Sequence, residues 1–200
     1  KTRDEIAQKR RDDANLERAA KEELIRAGKS GPIVSMPNNG TPLAVGFYVN
    51  WDDSSLASLT QNYKSLDWVV PEWIRLSGDE KDPLVLDIDK GAQDALTFLQ
   101  NNKPEMPVIP LLQNYKNEQW NSDILLRNIT TEAQRQHLIR SLLDTSEKYK
   151  FGGITIAIEE VPASAKPNLF TFMTDVRTEC QTRGLYLAQA VPFGNPAAHY

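Results

Sequence analysis

Phe151-Gly152-Gly153-Ile154-Thr155-Ile156-Ala157-Ile158-Glu159-Glu160-Val161-Pro162 is the stretch on which the reading of this 200-residue chain turns. Two glycines open it, a β-branched apolar run follows, and two carboxylates and a proline end it. A near-continuous apolar run of this kind predicts a strand covered on both faces, as in a parallel sheet. Acids at the C-terminal mouth of such a strand stand where parallel α/β folds place their chemistry. The plainer reading is that both acids begin a solvated loop and Pro162 ends the strand.

Upstream of this strand, strand-like and helix-like segments alternate. Residues 43–51 read as a first strand, and Asp52-Asp53-Ser54-Ser55 offers caps for a helix through about Ser65. Residues 68–74 read as a second strand, whose Pro71 implies a bulge or an end. A helix over 89–101, a third strand over 107–114 and one long helical region over 123–150 follow. Downstream come a helix over 168–184 and a fifth strand over 185–192.

Five strands separated by helices are the pattern of parallel βα units. A doubly wound sheet would show a glycine-rich turn after its first strand, and Tyr48-Val49-Asn50-Trp51-Asp52 has no glycine. A TIM-type barrel suits the polar and aromatic strand ends, but eight units take about 250 residues. The expectation is therefore an α/β chain of parallel (β/α) units of a TIM-type barrel, truncated after the fifth strand. A charged N-terminal helix precedes it.

That helix is expected over residues 1–30, a stalk or linker dense in Lys, Arg, Asp and Glu with a thin apolar stripe of Leu16, Ala20, Leu24 and Ala27. Residues 31–42 carry loop punctuation, and the barrel portion is expected over 43–200. Ala27-Gly28-Lys29-Ser30 lacks the first glycine of a phosphate-binding loop. The 23 basic against 27 acidic residues supply no strongly basic field, so the composition argues against a general nucleic-acid or membrane-surface binder. One cysteine, Cys180, excludes an intramolecular disulfide framework. No segment reaches the ~20 apolar residues of a membrane-spanning helix.

The strand ends carry the candidate site. Tyr48, Asn50 and Trp51 finish the first strand, Glu72 and Trp73 lie in the second, and Gln113, Asn114 and Tyr115 finish the third. Glu159 and Glu160 end the fourth, and Gln189 ends the fifth. Aromatic rings cover the C–H faces of sugars while amides and carboxylates bind their hydroxyls, so a concave site of this composition suits a glycan. Trp73 and Tyr48 read equally well as core residues.

The stretch from Phe151 to Glu159 resembles the fourth-strand signature of glycoside hydrolase family 18, the chitinase-like barrels, D-x-x-D-x-D-x-E with a glycine after the first Asp. The glycine falls on Gly153 and the terminal acid on Glu159, while the three aspartates fall on Gly152, Thr155 and Ala157. Gly46-Phe47-Tyr48 and Trp51 are similar to that family's opening strand. Leu112-Gln113-Asn114-Tyr115 stands where the family carries Ser-x-Gly-Gly. The resemblance implies Glu159 as the catalytic acid that protonates the leaving oxygen, while the substrate's own N-acetyl group attacks, a substrate-assisted route. It also implies that the Asp two residues earlier orients that acetamido group. Ala157 at this position can neither accept a hydrogen bond nor carry charge, so efficient chitinase-type hydrolysis is not expected.

Gly46 to Trp51, Val70-Pro71-Glu72-Trp73 and Ala190-Val191-Pro192-Phe193 further resemble a hydrolase-like module of large bacterial membrane proteins. There it precedes a polysaccharide deacetylase and a family 2 glycosyltransferase. This implies an extracytoplasmic, membrane-tethered domain that binds an amino-sugar polymer beside covalently linked deacetylase and glycosyltransferase domains.

Other chemistry is sparse. His137 and His199 have no Cys or acid at metal-ligand spacing, so no metal or other cofactor is expected. Ser54, Ser55 and Cys180 have no neighbouring His to activate them. Asn128-Ile129-Thr130 matches a glycosylation acceptor, and Asp87 with Asp89 reads as a loop residue and a helix cap. The reading is a glycan-binding, catalytically impaired family 18-like domain. The alternatives are a residual glycosidase acting on N-acetylglucosamine polymers through Glu159, and a protein-interaction scaffold.

Overall fold

The computed structural model describes residues 42–191, which fall within one unit, Asn38–Tyr200. The expected charged helix over 1–30, the loop before residue 42 and the stretch beyond residue 191 lie outside the described residues.

Val45–Tyr48 (β1) leads through Asp53–Asn62 (α1) to Trp68–Pro71 (β2), which pairs with β1 in parallel. The Asp52 carboxylate caps α1 by accepting from the Ser54 N–H at 2.9 Å, as the Asp-Asp-Ser-Ser sequence predicts. A Cβ on Gly46 would lie 2.7 Å from the flexible end of the Leu66 side chain, which would have to shift to admit it. Pro71 has no N–H to give to a ladder, and the strand breaks after it. It resumes as Ile74–Leu76 (β3), and Leu84–Leu86 (β4) folds back antiparallel on it.

Lys90–Asn102 (α2) follows, capped by Asp89, whose carboxylate accepts from the Ala92 N–H at 3.0 Å. Leu111–Gln113 (β5) then lies parallel to β3. A bridge from Val69 to Val108 and the Ile109 N–H to Val69 carbonyl bond of 2.9 Å join β2 to the same strand. A short hairpin of Tyr115–Lys116 (β6) and Gln119–Trp120 (β7) comes next.

The long helical region expected over 123–150 is two helices, Ser122–Ile129 (α3) and Glu132–Tyr149 (α4). The break is a capping box: the Gln134 N–H donates to Thr131 Oγ1 at 3.2 Å, and the Thr131 N–H donates to Gln134 Oε1 at 2.8 Å. Leu138, Ile139, Leu142, Leu143 and Ser146 of α4 are buried along one stripe, the helical spacing of a face laid on a sheet.

Gly153–Ala157 (β8) is buried at all five positions, as its apolar run predicts. Its glycines are steric. A Cβ on Gly152 would lie 2.7 Å from the Pro107 Cβ, and one on Gly153 would lie 2.2 Å from the Tyr186 carbonyl oxygen. Lys166–Thr182 (α5) and Tyr186–Gln189 (β9) complete the described chain, with β9 parallel to β8.

The parallel strands therefore neighbour one another in chain order: β1, then the broken strand β2 and β3, then β5, β8 and β9. A doubly wound sheet reverses its order at a switch point. This singly wound order is the arrangement of barrel βα units, open at β1 and β9 among the described residues. Two apolar layers flank the sheet. The larger holds Ile74, Leu112, Ile154, Ile156 and Ile158 against the helices. The smaller holds Trp68, Val70, Ile109, Leu111 and Ala157, with Tyr186, Ala188 and Ala190 packed on it, and forms the concave face.

Candidate functional site at the strand ends

In-register neighbours share a face, and the face alternates along each strand. Arg75, Gln113 and Ala157 stand in one row across β3, β5 and β8. Leu111, Thr155 and Ala188 form the row below. The alternation of Ile154, Ile156 and Ile158 into the helix-side core carries Glu159 to the concave side with Thr155 and Ala157.

Glu159 is half-buried. Its main chain is held by Asn114, whose Oδ1 accepts from the Glu159 N–H at 3.1 Å and whose Nδ2 donates to the Glu159 carbonyl at 3.0 Å. Asn114 Nδ2 also donates to the Asn121 carbonyl at 3.3 Å. Asn121 in turn caps α3 by accepting from the Ile124 N–H at 2.9 Å. Ser122 Oγ donates to the Glu160 carbonyl at 2.7 Å, so the start of α3 grips the loop after β8 at a second point. Glu160 itself is exposed and left-handed, with φ of 52°.

The floor beneath Glu159 carries no acid. Thr155 is 4% exposed and its hydroxyl donates to the Ile109 carbonyl at 3.0 Å. Ala157 contributes a methyl to the apolar layer, and a side chain at Gly152 would collide with Pro107. The positions of the three aspartates in the family signature are thus a buried neutral hydroxyl, a methyl and a packing glycine.

The remaining strand-end residues divide into those open to solvent and those inside. Trp51 is 66% exposed just past β1, and Tyr115 is half-buried with its ring 5.1 Å from that of Trp120. Tyr48 and Trp73 are core residues, 2% and 1% exposed, edge to face at 5.8 Å. The Tyr48 hydroxyl donates to the Gly91 carbonyl at 3.0 Å, and burial raises its pKa. Neither ring offers a face to a ligand.

Asn114 is equally closed: it is 1% exposed, and both its amide atoms are engaged. It positions Glu159 and has no free group for a sugar. Asn50 is half-buried and donates to the Asp87 carbonyl at 3.3 Å. Glu72 is half-buried at the strand break, where its N–H donates to the Tyr48 carbonyl at 3.1 Å. Gln189 pairs in register with Ile156, which puts it on the helix-side face, away from Ala157. A one-residue difference in position decides the face, and the strand end alone did not show it.

One residue beyond the strand ends named above also belongs to this region. Trp120 comes in on the β6–β7 hairpin, whose Asn117-Glu118 turn has φ of 52° and 62°. Asparagine signals such a turn, but glutamate at positive φ does not. Gln113 closes the row beside Ala157. The Asn128 acceptor pattern lies in α3, where Asn128 is 5% exposed and its Nδ2 donates to the Ser77 and Ile124 carbonyls. The folded chain does not present it for glycosylation. Among the described residues no group of three His, Cys, Asp or Glu could hold a metal ion, and no helix is long and apolar enough to cross a membrane.

Solved chitinases share this fold. A chitinase from Chromobacterium violaceum superposes with a TM-score of 0.67 at 20% identity, over 76% of this chain and 46% of its own. A class V chitinase from Pseudomonas fluorescens gives 0.70 at 15%, over 76% and 45%. A glycoside hydrolase family 18 chitinase from Cycas revoluta, solved with (GlcNAc)3, gives 0.61 at 19%, over 75% and 46%. The fold is therefore that of chitinase-like barrels, and the chain spans less than half the length of these structures. No protein-family model and no curated protein matches the chain.

Proposed function

We propose that this chain is a glycan-binding, catalytically impaired member of the chitinase-like barrels that holds an amino-sugar polymer at the mouth of its strands. One observation carries the reading: Asn114 holds the main chain of Glu159, while Thr155 and Ala157 below it supply no second carboxylate. Substrate-assisted hydrolysis needs a group that orients the acetamido nucleophile and balances the charge developing on it. A methyl does neither, and the buried neutral hydroxyl of Thr155 cannot balance that charge. Trp51, Tyr115 and Trp120 leave aromatic surface near the strand ends for sugar faces. The (GlcNAc)3 complex of the Cycas chitinase supports the class of ligand.

The proposal extends to context. The domain serves an extracytoplasmic polysaccharide synthesis or modification protein, tethered to the membrane and linked to deacetylase and glycosyltransferase domains. Incubating the full-length protein with N-acetylglucosamine oligomers and separating the products tests the impairment. No shorter oligomers are expected. Products that form with the wild type and vanish in Glu159→Gln would establish the residual glycosidase instead, a reading that the firmly held Glu159 backbone favours.

A further inference from the structure

We infer that the cleft between the β3–β4 loop and the β6–β7 hairpin is a second binding site, one that takes an acidic sugar, a saccharide unit carrying a carboxylate or a phosphate. The saccharide part rests on the glycan reading above, and the anion part rests on the cleft itself. The cleft is open, encloses about 760 Å³, and is lined by Asp79, Glu80 and Lys81 of the loop, Lys116 of the hairpin and Arg127 of α3. That volume falls within the range of ligand sites, about 300–1,000 Å³. Ser77 follows β3 and Lys116 follows β5, so the cleft opens at the end of the sheet that carries Glu159. The two sites share one end of the sheet.

The charge in the cleft is uncommitted. Its three cations come from three separate elements, all exposed, and among the described residues no acid forms an ion pair with any of them. Asp79 instead turns its Oδ1 to the Lys81 N–H at 2.9 Å. Gathered cations without partners repel one another, and an anion among them relieves that repulsion. The Arg127 guanidinium is a planar fork that matches a carboxylate or phosphate at two points. Asp79 and Glu80 would meet a bare anion as like charges, but they accept hydrogen bonds from hydroxyls. An anionic group beside hydroxyls is the chemistry of an acidic sugar.

The loop wall is held from behind. The Ser77 N–H donates to the Pro83 carbonyl at 2.7 Å, and the Ser77 carbonyl accepts from Nδ2 of the buried Asn128 at 2.9 Å. His137 Nε2 donates to the Lys81 carbonyl at 3.1 Å. Helices α3 and α4 thus fix the loop at both sides of its tip, so little order has to be gained on binding.

Calorimetric titration of the full-length protein with (GlcNAc)4, with its carbon-6 carboxylate and carbon-6 phosphate derivatives, and with inorganic phosphate tests this. At low ionic strength an acidic tetramer is expected to bind at least about fivefold more tightly than the neutral one, an advantage that shrinks in about 0.5 M salt. An advantage of either derivative alone supports the site and names its oxyanion. The triple variant Lys81→Gln, Lys116→Gln, Arg127→Gln is expected to bind all three tetramers alike, with its affinity for the neutral one unchanged. The matched variant Lys64→Gln, Lys148→Gln, Lys150→Gln removes the same charge from exposed positions before β2 and β8, at the other end of the sheet, and is expected to keep the preference. A wild type without the preference, or a cleft variant that keeps it, would overturn the second site and leave glycan binding standing. Inorganic phosphate bound as tightly as the acidic tetramers would overturn the sugar as ligand. A wild type that binds no tetramer would overturn both readings.

Discussion

The carboxamide of Asn114 grips the main chain of Glu159 at both its N–H and its carbonyl, at 3.1 and 3.0 Å. It thereby occupies the place of a neighbouring strand just where the ladder of β5 and β8 ends, at Gln113 and Ala157. A buried side chain thus extends the pairing of two strands to the acid at their mouth. Removing it should be costly and local. Asn114→Ala deletes three part-buried hydrogen bonds and strands the groups of Glu159, so about 3 kcal/mol of stability should be lost in urea denaturation. The Glu159 amide should exchange with solvent at least about tenfold faster, while amides in α4 change no more than global stability dictates.

Gly153 allows the closest approach in the sheet. An alanine Cβ there would meet the Tyr186 carbonyl at 2.2 Å, an atom that cannot swing aside. Gly153→Ala is expected to cost about 3 kcal/mol or to part β9 from β8. Thermal denaturation, with loss of amide protection along residues 186–190, measures it.

Helix α4 ends on Lys150 in the left-handed conformation, φ 57°, with its N–H turned back to the Glu147 and Ser146 carbonyls. A side chain pays for that conformation and glycine does not. Lys150→Gly is expected to stabilise the chain by about 1 kcal/mol, read as a higher urea midpoint at unchanged slope.

Cys180 is 1% exposed, and burial pushes its thiol up from an ordinary value of 9.0 to about 11. A raised acid binds its proton more tightly in the folded state. Its contribution is therefore complete below pH 9.0 and is lost as pH rises toward about 11. Across that window the wild type should lose roughly 2–3 kcal/mol more stability than Cys180→Ala. Equal slopes for the two proteins would show that the thiol does not titrate with unfolding.

Much of this architecture is legible in the residues, because burial on both faces leaves apolar runs and singly wound units alternate with helices. The run Ile154 to Ile158, the caps Asp52 and Asp89, and the interruption at Pro71 are all written locally. What is not legible depends on partners distant in the chain. Gln189 lies on the helix side because β9 pairs Gln189 with Ile156. Asn114 has the composition of a sugar-binding amide, and only the position of Glu159, 45 residues away, turns it into a clamp. Thr130-Thr131 splits a helical pattern that periodicity alone carries through, since Thr131 and Gln134 cap each other within a polar stretch. Gln113 is the opposite case, a buried amide with no hydrogen-bond partner among the described residues.

Titration of the full-length protein with (GlcNAc)4, with the reaction mixture recovered and analysed by mass spectrometry, tests the central claim most directly. Saturable heat with the tetramer recovered intact is expected, and Trp51→Ala should weaken binding by about tenfold. No heat at millimolar tetramer, or conversion of the tetramer to shorter oligomers, would contradict a domain that binds glycan without cleaving it.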